Sequence, residues 1–282
     1  MRALDERQLA LTANHIRQNI VEMLCAAKSG HSAGPLGMAD VFTALYFAIA
    51  DIDPAHPEKP DRDRILLSNG HICPVWYATL AERGYFPQEE LVTLRQLGTR
   101  LQGHTHIGEP PGVENSSGPL GQGLSQGIGM ALAARLDGAR WHTHVLLSDG
   151  EHQEGQIWEA ILYAGAHHLA NLTAWIDRNY IQIDGDTEDI LALGSLAAKY
   201  RAFGWHVLEV DGHNPRALVD AAGMASAIGD RPTAVVCHTI PGKGVDFMER
   251  DYRWHGIPPN REQADSALRQ LRAEQAGLEA SL

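Results

Sequence analysis

The feature that most constrains this chain is an alternation of short apolar runs with longer segments of helical periodicity. Apolar runs that end in a polar or turn-like cluster occupy residues 64–67, 144–147, 172–176, 206–210 and 234–240. Helical spacing of apolar residues occurs at 120–136, 157–169, 195–203 and 215–227. Short buried strands that alternate with helices are typical of parallel sheets covered on both faces. The sequence therefore predicts an α/β fold with a doubly wound, mostly parallel sheet flanked by helices.

Two apolar helices are predicted ahead of this sheet, over residues 5–27 and 38–50. The first places apolar side chains on one stripe and the second is apolar almost throughout, so both should be buried. The 282 residues, of which 44% are hydrophobic, suffice for a large core. No internal repeat or low-complexity linker interrupts the chain, and we expect residues 1–282 to form one domain.

Composition excludes several classes of function. A net charge of −12 gives no electrostatic footprint for nucleic acid or an anionic membrane. The three cysteines lack the spacing of a disulfide framework or a zinc site. No stretch approaches the roughly 20 apolar residues of a spanning helix. These observations predict a cytoplasmic protein with a small-molecule partner.

A polar cluster lies just past the carboxyl end of each predicted strand. These clusters are SNGH (68–71), SDGEHQEG (148–155), DRN (177–179), DGH (211–213) and PGKG (241–244). In an open α/β sheet, the carboxyl ends of the strands form the edge at which ligands bind. Ordinary turns would explain the glycines but not the recurrent His, Asp and Asn. The sequence therefore predicts a polar binding site at this edge.

A divalent cation site is predicted at the ends of two neighbouring strands. Asp149 and Asn179 each follow such a strand, and with a nearby backbone carbonyl they would supply hard oxygen ligands. Oxygen donors without cysteine favour magnesium or calcium. Spacing alone also permits Asp149 to be a helix N-cap and Asn179 a turn residue.

The glycine-rich run at 118–129 could seat a diphosphate, because glycines allow close backbone approach and a following helix directs its free N–H groups at an anion. Gly127 and Gly129 could instead mark tight helix packing. Histidines recur in Gly- or Pro-containing loops and could bind sugar hydroxyls or move protons, although a single loop histidine is usually unremarkable. These histidines are His31, His71, His104, His106, His213 and His255.

Taken together, the motifs resemble the N-terminal part of transketolase, from about residue 14 to about residue 256. SGHSAGPLGMAD, LSNGH, and LQGH with PGVENSSGPLGQGLSQGIGMA resemble its three histidine and glycine segments. SDGEHQEGQIWEA and NLTAWIDRNYIQIDGDT resemble the thiamine diphosphate signature, and HTIPGKGVDFMERDYRWHG resembles the closing segment. The resemblance implies the diphosphate-side (PP-type) domain of the thiamine diphosphate-binding fold.

The resemblance also implies roles for individual residues. The cation, Mg²⁺ or another such as Ca²⁺ or Mn²⁺, would be held by Asp149, Asn179 and the backbone carbonyl of Ile181. The thiamine diphosphate would be lined by Gly118, Pro119, Leu120 and Gly150, with His71 at its diphosphate side. The substrate channel would be faced by His31, His104 and His255. Among the catalytic residues, Glu154 would lie at the contact between subunits and link paired active sites through an acidic network, unless it merely caps a helix.

Two departures from the family pattern bear on these assignments. Ser148 replaces the first glycine of the GDG signature, which is tolerable if its backbone dihedrals are ordinary. The stretch HTHIGEPP (104–111) differs in length and content, so that His104 and His106 compete for the same role.

In this family a second domain binds the pyrimidine ring and supplies a catalytic glutamate. Only residues 257–282 follow the last matching motif, too few for such a domain. We therefore expect an N-terminal subunit of a split transketolase, which transfers a two-carbon ketol unit between sugars or sugar phosphates. Its C-terminal partner subunit would assemble with it as an α2β2 complex.

Other functions remain open at this point. The chain could belong to another thiamine diphosphate enzyme, such as a deoxyxylulose phosphate synthase or the α subunit of a ketoacid dehydrogenase. It could be a non-catalytic scaffold that binds the cofactor, or a magnesium-dependent nucleotide-binding protein.

Overall fold

The structure, a computed structural model, describes residues 4–280. Within that range a parallel sheet is built from β1 (Arg64–Leu67), β2 (Thr143–Ser148), β3 (Leu172–Arg178), β6 (His206–Asp211) and β7 (Thr233–His238). These strands lie side by side in the order β1-β2-β3-β7-β6. A small antiparallel hairpin is formed by β4 (Ile181–Gln182) and β5 (Gly185–Asp186).

Helices connect and cover these strands. They are α1 (Glu6–Ala27), α2 (Ala33–Ala44), α3 (Cys73–Arg83), α4 (Gln122–Asp137), α5 (Gly155–Ala166), α6 (Thr187–Leu191), α7 (Leu196–Ala202), α8 (Pro215–Ala227) and α9 (Arg261–Ala280). The five predicted strands are all confirmed, and their ends differ from the prediction by at most two residues. The predicted segment 215–227 coincides with α8.

The sheet is buried on both faces because its strands alternate between two apolar clusters. In β3, Trp175 packs into the cluster that contains α1, α2 and α3, whereas Ala174 and Ile176 pack into the cluster that contains α4 and α5. Every residue of β3 is buried. The two-sided covering confirms the doubly wound α/β prediction.

Several helix boundaries differ from the prediction, including both ends of α5, which covers Gly155–Ala166 instead of residues 157–169. The predicted second helix began at residue 38, but α2 begins at Ala33 and continues into a π-helical turn over Leu45–Ile49. The prediction of a helix from residue 120 is wrong by two residues, because Gly121 adopts a left-handed backbone (φ 81°) that stops α4 from extending further. Asp5 caps α1 rather than joining it, through a capping box with Gln8.

None of the helices in residues 4–280 is both long enough and apolar enough to cross a membrane.

Candidate functional site

Three histidines from distant parts of the chain meet at the carboxyl edge of the sheet. His31 lies between α1 and α2, His71 lies in a 3-10 turn after β1, and His255 follows a 3-10 turn at Tyr252–Trp254. Their ring centroids are 4.9 Å (His31 to His71), 5.4 Å (His31 to His255) and 5.1 Å (His71 to His255) apart. We call these three residues the histidine cluster.

The histidine cluster is uncharged at neutral pH. Burial lowers the pKa of His31 to about 4, helped by the charges of His255, Arg95 and His104. Burial alone lowers the pKa of His255 to about 4, and it lowers the pKa of His71 below its ordinary value. Neutral imidazoles carry one donor and one acceptor each, so the cluster can both give and receive hydrogen bonds.

Several buried polar atoms in this region have no partner within residues 4–280. They are Nδ1 of His31, Nδ1 of His255, and both side-chain amide atoms of Asn69. Buried polar groups are nearly always hydrogen-bonded, so a polar ligand is the natural partner for these atoms. Sequence reasoning did not single out Asn69, although it lies within the SNGH cluster.

His104 lies closer to the histidine cluster than His106. The His104 ring lies 3.7 Å from where a Cβ on Gly118 would sit, and its charge contributes to the lowered pKa of His31 and His71. His106 is exposed and forms an isolated bridge with Glu109. This placement favours His104 for the site.

His213 does not join the site, contrary to the expectation that the loop histidines face it together. Its Nδ1 contacts Asp40 Oδ2 at 2.8 Å and its Nε2 accepts the Ile240 N–H at 2.7 Å. Asp40 is also paired with Arg17 in the interior. With both ring nitrogens bonded, His213 holds the sheet edge together rather than binding a ligand.

Asp149 is fully buried and strongly tethered. Its Oδ2 accepts from the Tyr180 N–H at 2.7 Å and from Arg178 Nη1 at 3.1 Å, and its Oδ1 accepts from the Gly150 N–H at 2.7 Å. Burial raises the pKa of Asp149 to about 6, and Arg178 opposes that rise. Asp149 does occupy the N-cap of a 3-10 turn over Gly150–Gln153, so the capping alternative and the ligand hypothesis are compatible.

The other two predicted cation ligands lie beside Asp149. Asn179 directly follows β3, and its Oδ1 accepts the Ile181 N–H at 3.0 Å while its amide donates to Asp177. The Ile181 carbonyl oxygen lies 3.9 Å from where a Cβ on Gly150 would sit. One carboxylate, one amide and one carbonyl are the oxygen set that suits Mg²⁺ or Ca²⁺, so these residues fit a hard cation. No group of three His, Cys, Asp or Glu able to hold a metal occurs in the described part of the chain.

The hairpin β4–β5 connects this oxygen set to the histidine cluster. Ile183 lies in the hairpin turn, and a Cβ on Gly256 would lie 3.6 Å from Ile183 Cδ1 and 3.8 Å from His31 Nε2. The oxygen set and the histidine cluster therefore border the same region of the sheet edge.

Two N–H groups at the start of α4 are bonded within the protein and so are not directed at a ligand. The Gly121 N–H donates to Glu151 Oε1 at 2.5 Å, and the Gly123 N–H donates to Ser68 Oγ at 3.0 Å. Glu151 is fully buried and also bonds Ser68. The glycine run is thus tied to the ends of β1 and β2 by side chains.

The predicted lining segment 118–120 passes beside His104. Gly118 has φ 138°, Pro119 is exposed, and the Leu120 carbonyl accepts from Gln156 Nε2 at 2.5 Å. Gly127 has the packing role, since a Cβ there would lie 2.3 Å from Val145 Cγ2. Gly129 faces open space, so the packing alternative holds for Gly127 alone.

The structure answers whether Glu154 caps a helix and whether Ser148 can stand in place of the signature glycine. Glu154 occupies the N-cap position of α5, but its side chain makes no capping hydrogen bond and is exposed, so the capping alternative is wrong. Ser148 ends β2 with a non-positive φ, so glycine is not required there. Its hydroxyl accepts the Glu151 N–H at 3.3 Å.

Sequence comparison gives a consistent set of relatives. Residues 8–277 match the family described as the thiamine diphosphate binding domain of transketolase. The chain is 41% identical to a 6-deoxy-6-sulfo-D-fructose transketolase subunit of a Clostridium species, over 97% of this chain and 100% of that protein. It is 40% identical to an apulose-4-phosphate transketolase subunit of Phocaeicola vulgatus, over 93% of each.

Solved structures give the same result for the fold. A transketolase variant from Pichia stipitis superposes with a TM-score of 0.87 at 33% identity, covering 96% of this chain and 40% of that one. A transketolase from Campylobacter jejuni gives a TM-score of 0.85 at 28% identity, covering 98% and 48%. This chain therefore spans less than half of those longer proteins and nearly all of the subunit-type relatives.

Proposed function

The chain belongs to the transketolase family as its thiamine diphosphate-binding part, and on that premise we propose that it is the N-terminal subunit of a split transketolase. With a partner, it transfers a two-carbon ketol unit from a ketose to an aldose. The observation that carries this proposal is the histidine cluster, which borders the oxygen set of Asp149, Asn179 and Ile181 and in which Nδ1 of His31 and of His255 has no partner within residues 4–280.

Thiamine diphosphate supplies, when bound, a reactive thiazolium carbon that adds to a ketose carbonyl and holds the two-carbon unit. On this chain, Asp149, Asn179 and the Ile181 carbonyl would hold the accompanying cation. Gly118, Pro119, Leu120 and Gly150 would line the cofactor, with His71 beside its diphosphate. Their placement along one edge of the sheet supports these assignments.

His31 and His255 would handle the substrate. Both are neutral at pH 7, and each has a buried Nδ1 without a protein partner in the described residues. A neutral imidazole can donate a hydrogen bond to a sugar oxygen and exchange a proton with it. His104, at the rim of the cluster, would contact the outer part of the sugar.

A partner subunit would complete the site by holding the pyrimidine ring and supplying its glutamate. Exposed apolar side chains surround the site and suit such a contact, namely Ile183, Ile190, Leu191 and Ile257. Glu154, exposed and without a capping bond, would lie in the contact between subunits. We propose an α2β2 assembly in which residues 1–282 form the single diphosphate-side domain.

The substrates we propose are a ketose donor and an aldose acceptor, free or phosphorylated. The names of the two subunit-type relatives refer to a sulfonated sugar and a phosphorylated sugar. The three cysteines are free, which supports a reducing cytoplasmic location.

Affinity purification from the native cells tests the proposal. We expect a second chain of the C-terminal transketolase kind in equal amount, and two-carbon transfer that needs both chains, thiamine diphosphate and Mg²⁺. Turnover by this chain alone would contradict the need for a partner. A complex that binds the cofactor but transfers nothing between any ketose and aldose would favour the scaffold alternative. Condensation of pyruvate with a triose phosphate would favour a synthase.

A further inference from the structure

Arg178 is a buried cation placed directly against the carboxylate of the proposed metal site. It is the last residue of β3, and its side chain is only 6% exposed. Nη1 lies 3.1 Å from Asp149 Oδ2 and 3.2 Å from Thr187 Oγ1, and Nη2 lies 2.5 Å from Glu188 Oε1. The guanidinium carbon lies 4.0 Å from the centroid of the Tyr180 ring. Neighbours on every side fix this guanidinium in one place.

The charge balance at this end of the sheet depends on that guanidinium. Asp149 and Asp177 are both buried, and the only ion pair that Asp149 makes within residues 4–280 is with Arg178. Asp177 accepts hydrogen bonds from neutral groups, Thr239 and Asn179. A buried charge whose partner is removed is strongly destabilising. Without a bound cation, Arg178 therefore compensates the Asp149 carboxylate.

The two carboxylate oxygens of Asp149 accept different numbers of hydrogen bonds. Oδ2 is occupied by two donors, Arg178 Nη1 and the Tyr180 N–H, whereas Oδ1 accepts one donor, the Gly150 N–H. Gly150 is also the residue beside the Ile181 carbonyl. Oδ1 is thus the oxygen left with room for a cation.

We propose that Arg178 is a resident counter-cation, which keeps the metal site folded when no divalent ion is bound and which weakens the affinity for that ion by charge repulsion. This inference rests on the proposed function, since it takes Asp149 as a cation ligand. Arg178 stacks on the Tyr180 ring and bonds Asp149, so we assign it a positioning role that acts through Asp149.

Arg178→Met tests the proposal, because methionine fills similar space without charge. The measurements are the melting temperature of the complex with its partner, in EDTA and in excess Mg²⁺ with thiamine diphosphate, and Mn²⁺ affinity by electron paramagnetic resonance. In EDTA we expect the variant to melt at least about 5 °C below the wild type. Mg²⁺ should recover most of that loss, and Mn²⁺ should bind about tenfold more tightly, since like charges repel.

Arg178→Lys is the matched control, because it keeps the charge but loses the planar bridge to Glu188. It should melt close to the wild type in EDTA and keep the weaker Mn²⁺ affinity. An equal drop in melting temperature with and without Mg²⁺, or weaker Mn²⁺ binding in Arg178→Met, would overturn the counter-cation role.

Asp149→Ala separates this inference from the proposed function. If Asp149→Ala binds Mn²⁺ as tightly as the wild type, the cation is not held at Asp149 and the proposed function loses its metal site. If Asp149→Ala abolishes Mn²⁺ binding while Arg178→Met leaves both measurements unchanged, only the role of Arg178 is wrong.

Discussion

Two groups of histidines, three half-buried and one buried, have lowered pKa values for the same reason, yet they differ in what their ring nitrogens contact. Burial lowers the pKa of His31 and His255 at the carboxyl edge of the sheet, and it lowers the pKa of His142 and His144 at the opposite end of β2. His142 Nε2 lies 2.8 Å from Thr173 Oγ1, and His144 Nδ1 accepts from Trp175 Nε1 at 3.2 Å. At the carboxyl edge, Nδ1 of each histidine has no such partner in the described residues.

A shifted pKa therefore does not by itself mark a functional site. Burial shifts the pKa of any histidine, whether it is structural or not. A buried ring nitrogen without a protein partner is the more informative feature, because proteins rarely leave such an atom unsatisfied. Variants in the two groups of histidines can test whether this distinction holds.

The largest effect is expected on turnover. His31→Ala or His255→Ala should each lower kcat/KM of the reconstituted complex by about 10²- to 10⁴-fold, the range for removal of a proton-transfer group. His142→Ala is the control, and it should leave kcat/KM within about threefold, because its ring lies against Thr173 and His144 at the opposite end of the strand from the site. Steady-state kinetics on the three variants decide the matter. A comparable loss in His142→Ala would show that burial, not the unpaired nitrogen, determines importance.

The second effect, on stability, should be larger for the histidines at the opposite end of β2 than for those at the carboxyl edge. His144→Ala should lower the free energy of unfolding by about 2–4 kcal/mol, because it leaves a cavity and removes the acceptor of the Trp175 N–H. His255→Ala should cost less than about 1 kcal/mol, since its Nδ1 makes no hydrogen bond in the described part of the chain. Urea unfolding at pH 7 measures both. Equal losses in the free energy of unfolding would show that the hydrogen bond to Trp175 does not distinguish the two groups of histidines.

The sequence predicted the strands and local motifs of this site better than the long-range contacts between them. The strands, the polar clusters at their ends and the residues of the oxygen set follow from local patterns and from motifs in register. Sequence spacing could not separate His31 from His213, because the partners of His213, Asp40 and Ile240, are distant along the chain. Similarly, Glu151 satisfies the Gly121 N–H from thirty residues away, which no local pattern indicates.

The third effect concerns pH and should be shared by both histidine groups. Their folded pKa values lie below the ordinary value of 6.5, so the unfolded chain binds more protons as the pH falls from 6.5 towards 4. Stability is therefore fully present above pH 6.5 and is lost on acidification. Each histidine contributes a slope of at most about 1.4 kcal/mol per pH unit.

Unfolding measured between pH 7 and pH 5 tests this shared dependence. Both the double variant His31→Ala/His255→Ala and His144→Ala should show a flatter loss of stability than the wild type. If only the carboxyl-edge variant flattened the slope, pKa shifts would distinguish the two groups after all, and the comparison would need revision.

The smallest expected effect distinguishes two histidines of one loop. His104→Ala should lower kcat/KM by about fivefold, the equivalent of one exposed hydrogen bond of about 1 kcal/mol. The effect should fall mainly on KM, because His104 is exposed at the rim and, on the proposed function, would contact the outer part of the sugar. His106→Ala, two residues away and bridged to Glu109, should change neither constant. If His106→Ala raises KM and His104→Ala does not, His106 is the histidine that contacts the substrate. Proximity to Gly118 would then not identify the site residue.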